Sequence, residues 1–574
     1  MGKGFTENTR VQVPAALHLC RLGYTYLDNI KVTDYNHASN ILVPIFKESV
    51  KRLNPFVSEE SIDTLLSSLV RSLGNDDLGR EFYSKITATS GIKVIDFANP
   101  ENNVWHCTTE LPCENPDTKD SFRPDITCFV NGLPLSFVEV KIPNNREGML
   151  VERERMDNRM ARECFRRFLN ATQVMVFSNN QEYDRESTVP IQGAFYATIS
   201  KDRVFFNLFR EEDDGLLIDA GYSEVGEDVE KRILRHRNCP QIKDDPAYET
   251  NKRPESPTNR LLTSLLSKRR FLFLLKYAIA YVDRKVELQS GEVVLRLEKH
   301  IMRYQQLFAT FALRKRLDDG GKSGIIWHTQ GSGKTAFAYY NSMFLRDYYA
   351  DRHTAAKFFF IVDRLDLLEQ AADEFSSRGL MVQKVDSRDE LMKRVKDDKP
   401  CYNPQGLPEI TVVNIQKFKE DRHAVKIENA YSINLQRVFF VDEAHRGYRF
   451  DGSFLANLME ADRDAVKIAL TGTPLLDKES ATKRIFGDYI HTYYYDKSIA
   501  DGYTLKIMRD EIASEYRETI INKMEEIAKE VKVEKPLNAW QRFRIGAFWW
   551  LLGLVLFAYR KQILTAIMKA FGHY

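Results

Sequence analysis

The sequence predicts an α/β protein built from three successive parts. From Leu261 onward, helical patterns alternate with short continuous apolar runs, and this arrangement is typical of a parallel sheet covered on both faces. Residues 1–240 mix helical and strand patterns instead, with a hairpin pattern at 125–141. Residues 506–574 predict a short helical tail. A chain of 574 residues is also too long for one core, so we expect several domains.

Individual segments predict particular elements of these parts. Residues 13–22 predict an amphipathic helix that ends before Gly23, and 175–178 and 191–199 predict strands of the first domain. The apolar runs of the second domain, 259–505, are 324–327, 358–362, 410–413, 438–441 and 466–470. Between the two domains, the polar stretch 239–258 contains four prolines, so we expect a linker at 241–258.

Composition describes a globular protein, with 43% hydrophobic and 29% charged residues. The net charge of +2 gives no argument for nucleic-acid binding, and local basic stretches such as 268–270 are more often solvated helix faces. Seven scattered cysteines without a C-x-x-C pair argue against a disulfide framework or a structural zinc site. They fit a reducing cytoplasm.

A glycine-rich loop follows the first strand of the second domain. It runs Gly331-Ser332-Gly333-Lys334-Thr335 and leads into a helical pattern. Glycines there allow backbone N–H groups to surround phosphate oxygens, and the helix N-terminus favours negative charge. We therefore expect the loop to bind ATP, with Lys334 at the β- and γ-phosphates and Thr335 on Mg²⁺. His328 departs from the general pattern, which has a glycine at that position.

Acidic residues are expected to complete this site. Asp442-Glu443-Ala444-His445 follows a predicted strand, and ligands bind at the carboxyl edge of parallel sheets. Asp442 is expected to hold the ATP-bound Mg²⁺, His445 to belong to the same ATP motif, and Glu443 to polarise the attacking water.

Three further segments join the ATPase prediction. Thr471 and Thr473 follow another strand and could couple the γ-phosphate to movement of DNA. Gln306, in the motif Arg303-Tyr304-Gln305-Gln306, is placed to read the adenine edge. Asp363 and Arg364 follow a strand and could contact a DNA backbone, although an ordinary strand-to-helix loop would have the same pattern.

A second constellation lies upstream, where Asp125, Glu139 and Lys141 match the D-x(n)-E-x-K spacing of metal-dependent nucleases. Two carboxylates can hold Mg²⁺, and Lys141 lies on the same strand face as Glu139. Asn131-Gly132 is a strong turn signal, but a simple two-residue turn would put Glu139 on the wrong face. A nuclease therefore requires either a three-residue loop, 131–133, or a bulge, which Pro134 makes plausible.

Taken together, residues 1 to 505 resemble the restriction (R) subunit of type I restriction–modification enzymes. The marks are Arg303-Tyr304-x-Gln306, Trp327-His328-Thr329-Gln330 before the phosphate loop, Val362-Asp363-Arg364, 415–418, Asp442-Glu443-Ala444-His445-Arg446, Phe486-Gly487 and Asp501-Gly502. The resemblance implies a PD-(D/E)-x-K endonuclease followed by a RecA-like superfamily 2 translocase acting on duplex DNA. It also implies methyltransferase and specificity subunits as partners, with S-adenosylmethionine used by the methyltransferase.

The sequence departs from this family in two places. We find no Gln-x-x-x-Tyr spacing between 153 and 173, where many members carry it. After 501–502, about 70 residues remain, fewer than a second RecA-like domain usually needs. The apolar run 545–559 falls just short of the roughly 17–25 residues of a spanning helix, so it predicts either a membrane-type helix or a buried or unrelated tail.

Two functional hypotheses follow. The first is an R subunit whose motor is incomplete in this chain. The alternative is a truncated ATP- and DNA-binding protein without motor activity, tethered to the membrane if 545–559 is a membrane helix. ATP hydrolysis stimulated by duplex DNA would separate the two.

Overall fold

The computed structural model describes residues 6–114, 121–143, 148–181, 194–200, 203–213, 215–288, 290–397, 402, 406–415, 434–443, 457–459, 462–472 and 485–504. Residues 1–505 form one compact unit that contains two large sheets. The predicted helical tail, including 545–559, lies outside the described residues. Within the described part of the chain, no helix has both the length and the apolar character needed to cross a membrane.

The first sheet has nine strands in the order β1-β2-β5-β6-β7-β8-β11-β10, and β9 also pairs with β8. Its strands are β1 Thr25–Tyr26, β2 Trp105–Thr109, β5 Ile126–Val130, β6 Leu133–Val140, β7 Val174–Ser178, β8 Ala194–Ser200, β9 Arg203–Leu208, β10 Ile279–Glu287 and β11 Val293–Ile301, while β3 Cys113–Glu114 and β4 Ser121–Phe122 form a separate ribbon. The β1–β2 and β6–β7 pairs are parallel, and the other pairs are antiparallel.

Eleven helices in the described residues accompany the first sheet. They are α1 Val13–Arg21, α2 Val43–Leu53, α3 Glu59–Ser72, α4 Arg80–Ile86, α5 Gly148–Met160, α6 Arg166–Ala171, α7 Leu216–Asp219, α8 Glu227–His236, α9 Pro246–Asn251, α10 Pro257–Leu266 and α11 Lys268–Tyr277. The predicted helix 13–22 is confirmed as α1, and the predicted strand 175–178 as β7. On one side of the sheet, the aromatic rings of Phe137 and Phe177 pack with Phe122 and Phe168.

The second sheet is wholly parallel, with seven strands in the order β14-β15-β13-β16-β17-β12-β18. These are β12 Ser323–His328, β13 Ala355–Val362, β14 Met381–Val385, β15 Glu409–Asn414, β16 Leu435–Val441, β17 Val466–Thr471 and β18 Tyr489–Tyr493; the helices are α12 Tyr304–Asp318, α13 Lys334–Ala350, α14 Leu365–Ser376, α15 Arg388–Lys396 and α16 Tyr495–Ala500. All five predicted apolar strands are confirmed.

Both faces of this second sheet are covered, as its continuous apolar strands predict. In β13, Phe358 and Phe360 pack in one core with Phe375 of α14, whereas Phe359 and Ile361 pack in a second core with helix α15. Such a strand has no polar face, which is why it reads as an unbroken apolar run.

The stretch expected to be a linker, 241–258, is folded. It contains a 3₁₀ turn at Pro240–Ile242, helix α9 and the start of α10, and each of these three elements has a proline in its first turn. Proline is tolerated at a helix start because the N–H group it lacks has no intrahelical acceptor there. Three of the four prolines therefore mark helix starts in this segment.

The boundary between the two sheets also differs from the expected division at 258. Helix α10 packs on α1, where His18 Nε2 lies 2.7 Å from Thr263 Oγ1. Strand β11 then pairs with β8 through Glu298 and Lys299. The first sheet therefore extends to β11, and the second begins at β12.

Candidate active sites

The β5–β6 hairpin sets the register of the first candidate site. It has a two-residue turn, Asn131-Gly132, with φ of 50° and 79°, so Val130 pairs with Leu133. A one-residue bulge at Leu135 then shifts the register, and Ile126 pairs with Val138. The three-residue loop is therefore not used, and the bulge that we gave as the alternative is present. The bulge places Glu139 opposite Asp125 across the hairpin.

Gly132 is required at this turn for two reasons. Its positive φ suits glycine, and a Cβ atom there would lie 2.7 Å from the carbonyl oxygen of Leu42. The Asn131 amide adds to the fixation, because it donates to Val94 O and accepts from Val104 N. The turn is thus held by the residues around it.

Asp125, Glu139 and Lys141 come together at the end of this hairpin. Asp125 Oδ2 accepts a 2.7 Å hydrogen bond from Val140 N, which fixes the carboxylate against β6. Lys141 Nζ lies 3.9 Å from Glu139 Oε2. The predicted trio therefore forms one charged cluster, in which Glu139 and Lys141 are buried and Asp125 is half-buried.

Burial or neighbouring carboxylates raise the pKa values of all three residues of this cluster. Burial raises the pKa of Asp125 to about 6 although the Lys141 ammonium opposes the shift. Burial, and then the charges of Asp125 and Glu152, raise the pKa of Glu139 well above its usual range. Burial alone would lower the pKa of Lys141, but Asp125, Glu139, Glu152 and Glu7 outweigh it and raise that pKa.

These features fit a divalent cation held by Asp125 and Glu139. Glu139 Oε1 is buried and accepts no hydrogen bond from the described residues. Both carboxylates also have raised pKa values, and a bound cation would favour their ionised forms. Among the described residues, no group of three or more His, Cys, Asp or Glu side chains forms a metal cluster. The candidate protein ligands are therefore these two carboxylates.

The second candidate site lies at the carboxyl edge of the parallel sheet. Strand β12 ends at His328, the glycine-rich loop follows, and α13 begins at Lys334 with Thr335 in its first turn. Gly331 and Gly333 have φ of 81° and 88°. Ser332 Oγ is buried without a hydrogen-bond partner among the described residues, as expected of a loop shaped for an anion.

Arg303 and Gln306 contact this phosphate loop. Arg303 Nη1 donates to Gly331 O at 3.2 Å, and Gln306 Nε2 donates to Gly333 O at 2.8 Å. A Cβ atom on Gly333 would lie 2.5 Å from Gln306 Nε2, so glycine is needed for this contact. The predicted adenine contact of Gln306 stays a prediction.

The acidic end of β16 faces the lysine of the loop. Lys334 Nζ lies 3.8 Å from Glu443 Oε1. Burial raises the pKa of Asp442 to about 6 although Lys334 opposes the shift. Glu443 has a φ of 48°, and its N–H donates to Asp442 Oδ1 at 3.0 Å. A half-buried acid beside a lysine fits a Mg²⁺–nucleotide complex.

Thr471 ends β17, next to Gly472, where a Cβ atom would lie 3.3 Å from Lys334 Nζ. Asp363 is buried directly after β13, and its charge contributes to the raised pKa of Asp442, whereas the Arg364 side chain is 46% exposed. Asp363 therefore lies near the acidic edge of the ATP site. DNA contact by Asp363 and Arg364 stays a prediction. His445 and Thr473 lie outside the described residues.

Two segments of the chain match known protein families. Residues 4–185 match the family described as the type I restriction enzyme R protein N terminus, and residues 305–537 match the SWI2/SNF2 ATPase family. In the order of these two matches, the chain is similar to the R subunits of type I restriction enzymes. The match at 4–185 includes the nuclease trio, and the match at 305–537 includes the phosphate loop.

Two curated relatives come from Methanocaldococcus jannaschii. The MjaIXP type I restriction enzyme endonuclease subunit is 25% identical over 536 residues, covering 87% of this chain and 46% of its own length. The MjaVIIIP endonuclease subunit is 25% identical over 564 residues, covering 90% of this chain and 48% of its own length. The R-subunit-like chain thus spans about half the length of these relatives.

Solved structures are more distant. The fragment structure of an HsdR subunit from Vibrio vulnificus YJ016 has 14% identity to this chain, covers 69% of it and 56% of its own chain, and has a TM-score of 0.25. This score is too low for a comparison of the two folds.

Two further residues of the charged cluster in the R-subunit-like protein, both on α5, were not predicted from the sequence. Glu152 is 1% exposed, and its carboxylate lies 3.6 Å from Lys141 Nζ and 2.8 Å from Arg159 Nη1. Arg159 Nη1 also lies 3.5 Å from Glu139 Oε1. The spacing of seven residues places both on one face of α5, but a helix so rich in charge resembles a solvated one. No Gln-x-x-x-Tyr pair occurs in this segment.

Proposed function

We propose that this R-subunit-like protein is the endonuclease and translocase subunit of a type I restriction–modification complex. It would cleave duplex DNA with Mg²⁺ and use ATP to move DNA, together with methyltransferase and specificity subunits. S-adenosylmethionine would enter only through the methyltransferase subunit. The observation that carries the proposal is that one compact unit, 1–505, contains both a bulge-registered nuclease trio and an ATP site.

In the nuclease site, Asp125 and Glu139 would hold Mg²⁺. A bound Mg²⁺ supplies activation of water and neutralises charge on the phosphate. Lys141 keeps its proton, because the surrounding carboxylates raise its pKa. Its ammonium would orient the nucleophile or stabilise negative charge as the phosphodiester is attacked. Arg159, 3.5 Å from Glu139, would hold that carboxylate in place.

In the ATP site, Lys334 would bind the β- and γ-phosphates, with Thr335 and Asp442 on Mg²⁺. Glu443 would orient the attacking water. The contacts of Arg303 and Gln306 with Gly331 and Gly333 would set the shape of the loop around the nucleotide.

The remaining predicted residues would complete the motor. Gln306 would read the adenine edge, and His445 would join the ATP site. Thr471 and Thr473 would couple the nucleotide to movement, and Asp363 with Arg364 would contact the DNA backbone. We place the protein in the bacterial cytoplasm, since its seven scattered cysteines without a C-x-x-C pair fit a reducing compartment.

The test is a reconstituted complex of the full chain with its methyltransferase and specificity subunits on unmethylated circular DNA. We expect cleavage that requires both ATP and Mg²⁺. Asp125→Ala should abolish cleavage and leave ATP hydrolysis intact, whereas Lys334→Ala should abolish both activities. Cleavage that survives Asp125→Ala would overturn the nuclease assignment. ATP and DNA binding without turnover would support the alternative hypothesis of a binding protein without a motor.

A further inference from the structure

A short segment after β9 joins the first sheet to the ATP site through alternate side chains. Arg210 Nε donates to Asp501 Oδ1 at 2.6 Å. Two residues later, Glu212 Oε2 lies 2.8 Å from His491 Nε2 on β18. Both partners belong to the second half of the unit, almost 300 residues further along the chain. These contacts are not predicted by any ATP-binding motif.

The Glu212 contact continues to the base of the phosphate loop. His491 Nδ1 lies 2.8 Å from Nε2 of His328, the last residue of β12. His328 is 1% exposed, and the next residue, Thr329, donates its N–H to Tyr493 O. The carboxylate can only accept, so His491 Nε2 donates to Glu212 and Nδ1 is left to face His328. A continuous chain of hydrogen-bonding groups thus links Glu212 to the start of the loop.

Burial, together with the charges of His491 and Lys334, lowers the pKa of His328 well below its usual range. A neutral imidazole at this position keeps its hydrogen bond to His491 without adding a charge behind the phosphate loop. The Glu212 carboxylate fixes the direction of the hydrogen bonds in the His491–His328 pair, because it accepts from His491 Nε2. Glu212 also lies 3.6 Å from Lys497 Nζ.

The Arg210 contact reaches the other motif of the ATP site. Asp501 has no exposed side-chain surface, and it also accepts hydrogen bonds from the hydroxyls of Tyr304 and Tyr493. Tyr304 begins α12 and directly follows Arg303, whose guanidinium contacts Gly331 O. Arg210 therefore supports the carboxylate to which the start of this helix is bonded.

We propose that Arg210 and Glu212 are positioning residues of the ATP site, and that they hold the phosphate loop and the Arg303–Gln306 motif from the side of the first sheet. The inference rests on the ATP site proposed above and adds to it residues outside the ATPase-family match. Neither residue would touch nucleotide. Their effect would pass through His491 and Asp501 to the loop that does.

The segment contains its own matched control. Glu211, between the two positioning residues, pairs instead with Arg270 of α11 at 3.4 Å. Glu211→Gln therefore changes the same kind of side chain in the same segment without touching the contacts to His491 or Asp501.

The experiment measures binding of Mg²⁺–ATP to the full chain by calorimetry, and KM and kcat for ATP in the reconstituted complex. Glu212→Ala should weaken ATP binding about tenfold, the usual size of effect when a hydrogen bond to a buried charged group is lost. Glu212→Gln, which can still accept from His491, should recover most of this loss. Arg210→Ala should also weaken binding, and Glu211→Gln should bind as the wild type does.

Circular dichroism and the melting temperature check that each variant is folded, and Arg210→Ala decides the matter if Glu212→Ala does not fold. Wild-type affinity in Glu212→Ala, or a loss of affinity in Glu211→Gln equal to that in Glu212→Ala, would overturn this inference alone. A wild-type protein that binds no ATP would overturn the proposed ATP function and this inference with it.

Discussion

The nuclease cluster and the ATP site each place a lysine beside a half-buried aspartate, but they surround the lysine differently. Lys141 lies within 4 Å of the carboxylates of Glu7, Glu139 and Glu152. Lys334, within the described residues, has Glu443 at 3.8 Å as its carboxylate contact. Lys141 is therefore held by several carboxylates of the fold, whereas the environment of Lys334 is the one expected of a lysine that binds a phosphate ligand.

The two sites also differ in what sets their geometry. The nuclease trio depends on the register of one antiparallel hairpin, so a shift of one residue would turn Glu139 to the opposite face. The ATP site depends on a loop at the end of a parallel strand whose neighbours fix it on both sides. We therefore expect the nuclease site to be the more sensitive of the two to a change in backbone length.

The largest expected effect comes from inserting one alanine between Phe137 and Val138, after the bulge residue Leu135. With the turn and the bulge retained, Asp125 would then pair with Val138, and the second carboxylate would leave the site. We expect cleavage by the reconstituted complex to fall by at least about 10³-fold, because metal-assisted charge stabilisation is worth several kcal/mol. ATP binding measured by calorimetry should be retained. Cleavage within tenfold of the wild type would show that the register does not position Glu139.

A smaller effect should separate the two lysines by stability. Lys141→Ala takes one cation from the buried carboxylates of Glu139 and Glu152, which keep their contacts with Arg159. Loss of one partner of a buried ion pair costs up to about 3–5 kcal/mol. Lys334→Ala should cost less than about 1 kcal/mol, as expected of a lysine that serves a ligand rather than the fold. Amide hydrogen exchange in β5–β6 and in β12–α13 at pH 8 measures both values. Equal losses at the two sites would contradict the contrast between the two lysines.

The sequence predicted most of the second sheet, because its central strands are buried on both faces and read as apolar runs. It missed β14 and β18, which lie at the two edges of that sheet and are largely half-buried. It also missed the place of β10 and β11, since pairing between 298 and 200 is a long-range contact that no local pattern encodes.

For the nuclease site, the spacing from Asp125 to Lys141 was sufficient to predict the trio and to require either a longer loop or a bulge. It could not choose between these, because Asn131-Gly132 is compatible with both. Glu152 and Arg159 were not predictable, since their role depends on how α5 packs against β6. The role of Glu212 was not predictable either, because its partner His491 lies far along the chain.

The smallest expected effect concerns the two aspartates with raised pKa values, Asp125 in the nuclease cluster and Asp442 in the ATP site. The pKa values of Asp125 and Asp442 are about 6 in the folded protein, above the ordinary value near 4, so folding favours their protonated forms. The stability that this preference provides is fully present below pH 4 and is lost as the pH rises through 6. Asp125→Asn and Asp442→Asn remove the ionisation. Each should therefore be more stable than the wild type at pH 8, by up to about 2–3 kcal/mol, with no gain at pH 4.

Chemical denaturation at pH 4, 6 and 8 without Mg²⁺ measures this difference, with Asp63→Asn as the control, because Asp63 is a half-exposed surface aspartate paired with Lys47. Adding Mg²⁺ at pH 8 should then narrow the gap at the nuclease site, because the cation binds the folded wild type and stabilises it by mass action. The Asn variant has lost a charged ligand and should gain less. A gain at pH 8 that is the same at pH 4, or that Mg²⁺ leaves unchanged, would show that Asp125 is not held ready for a cation.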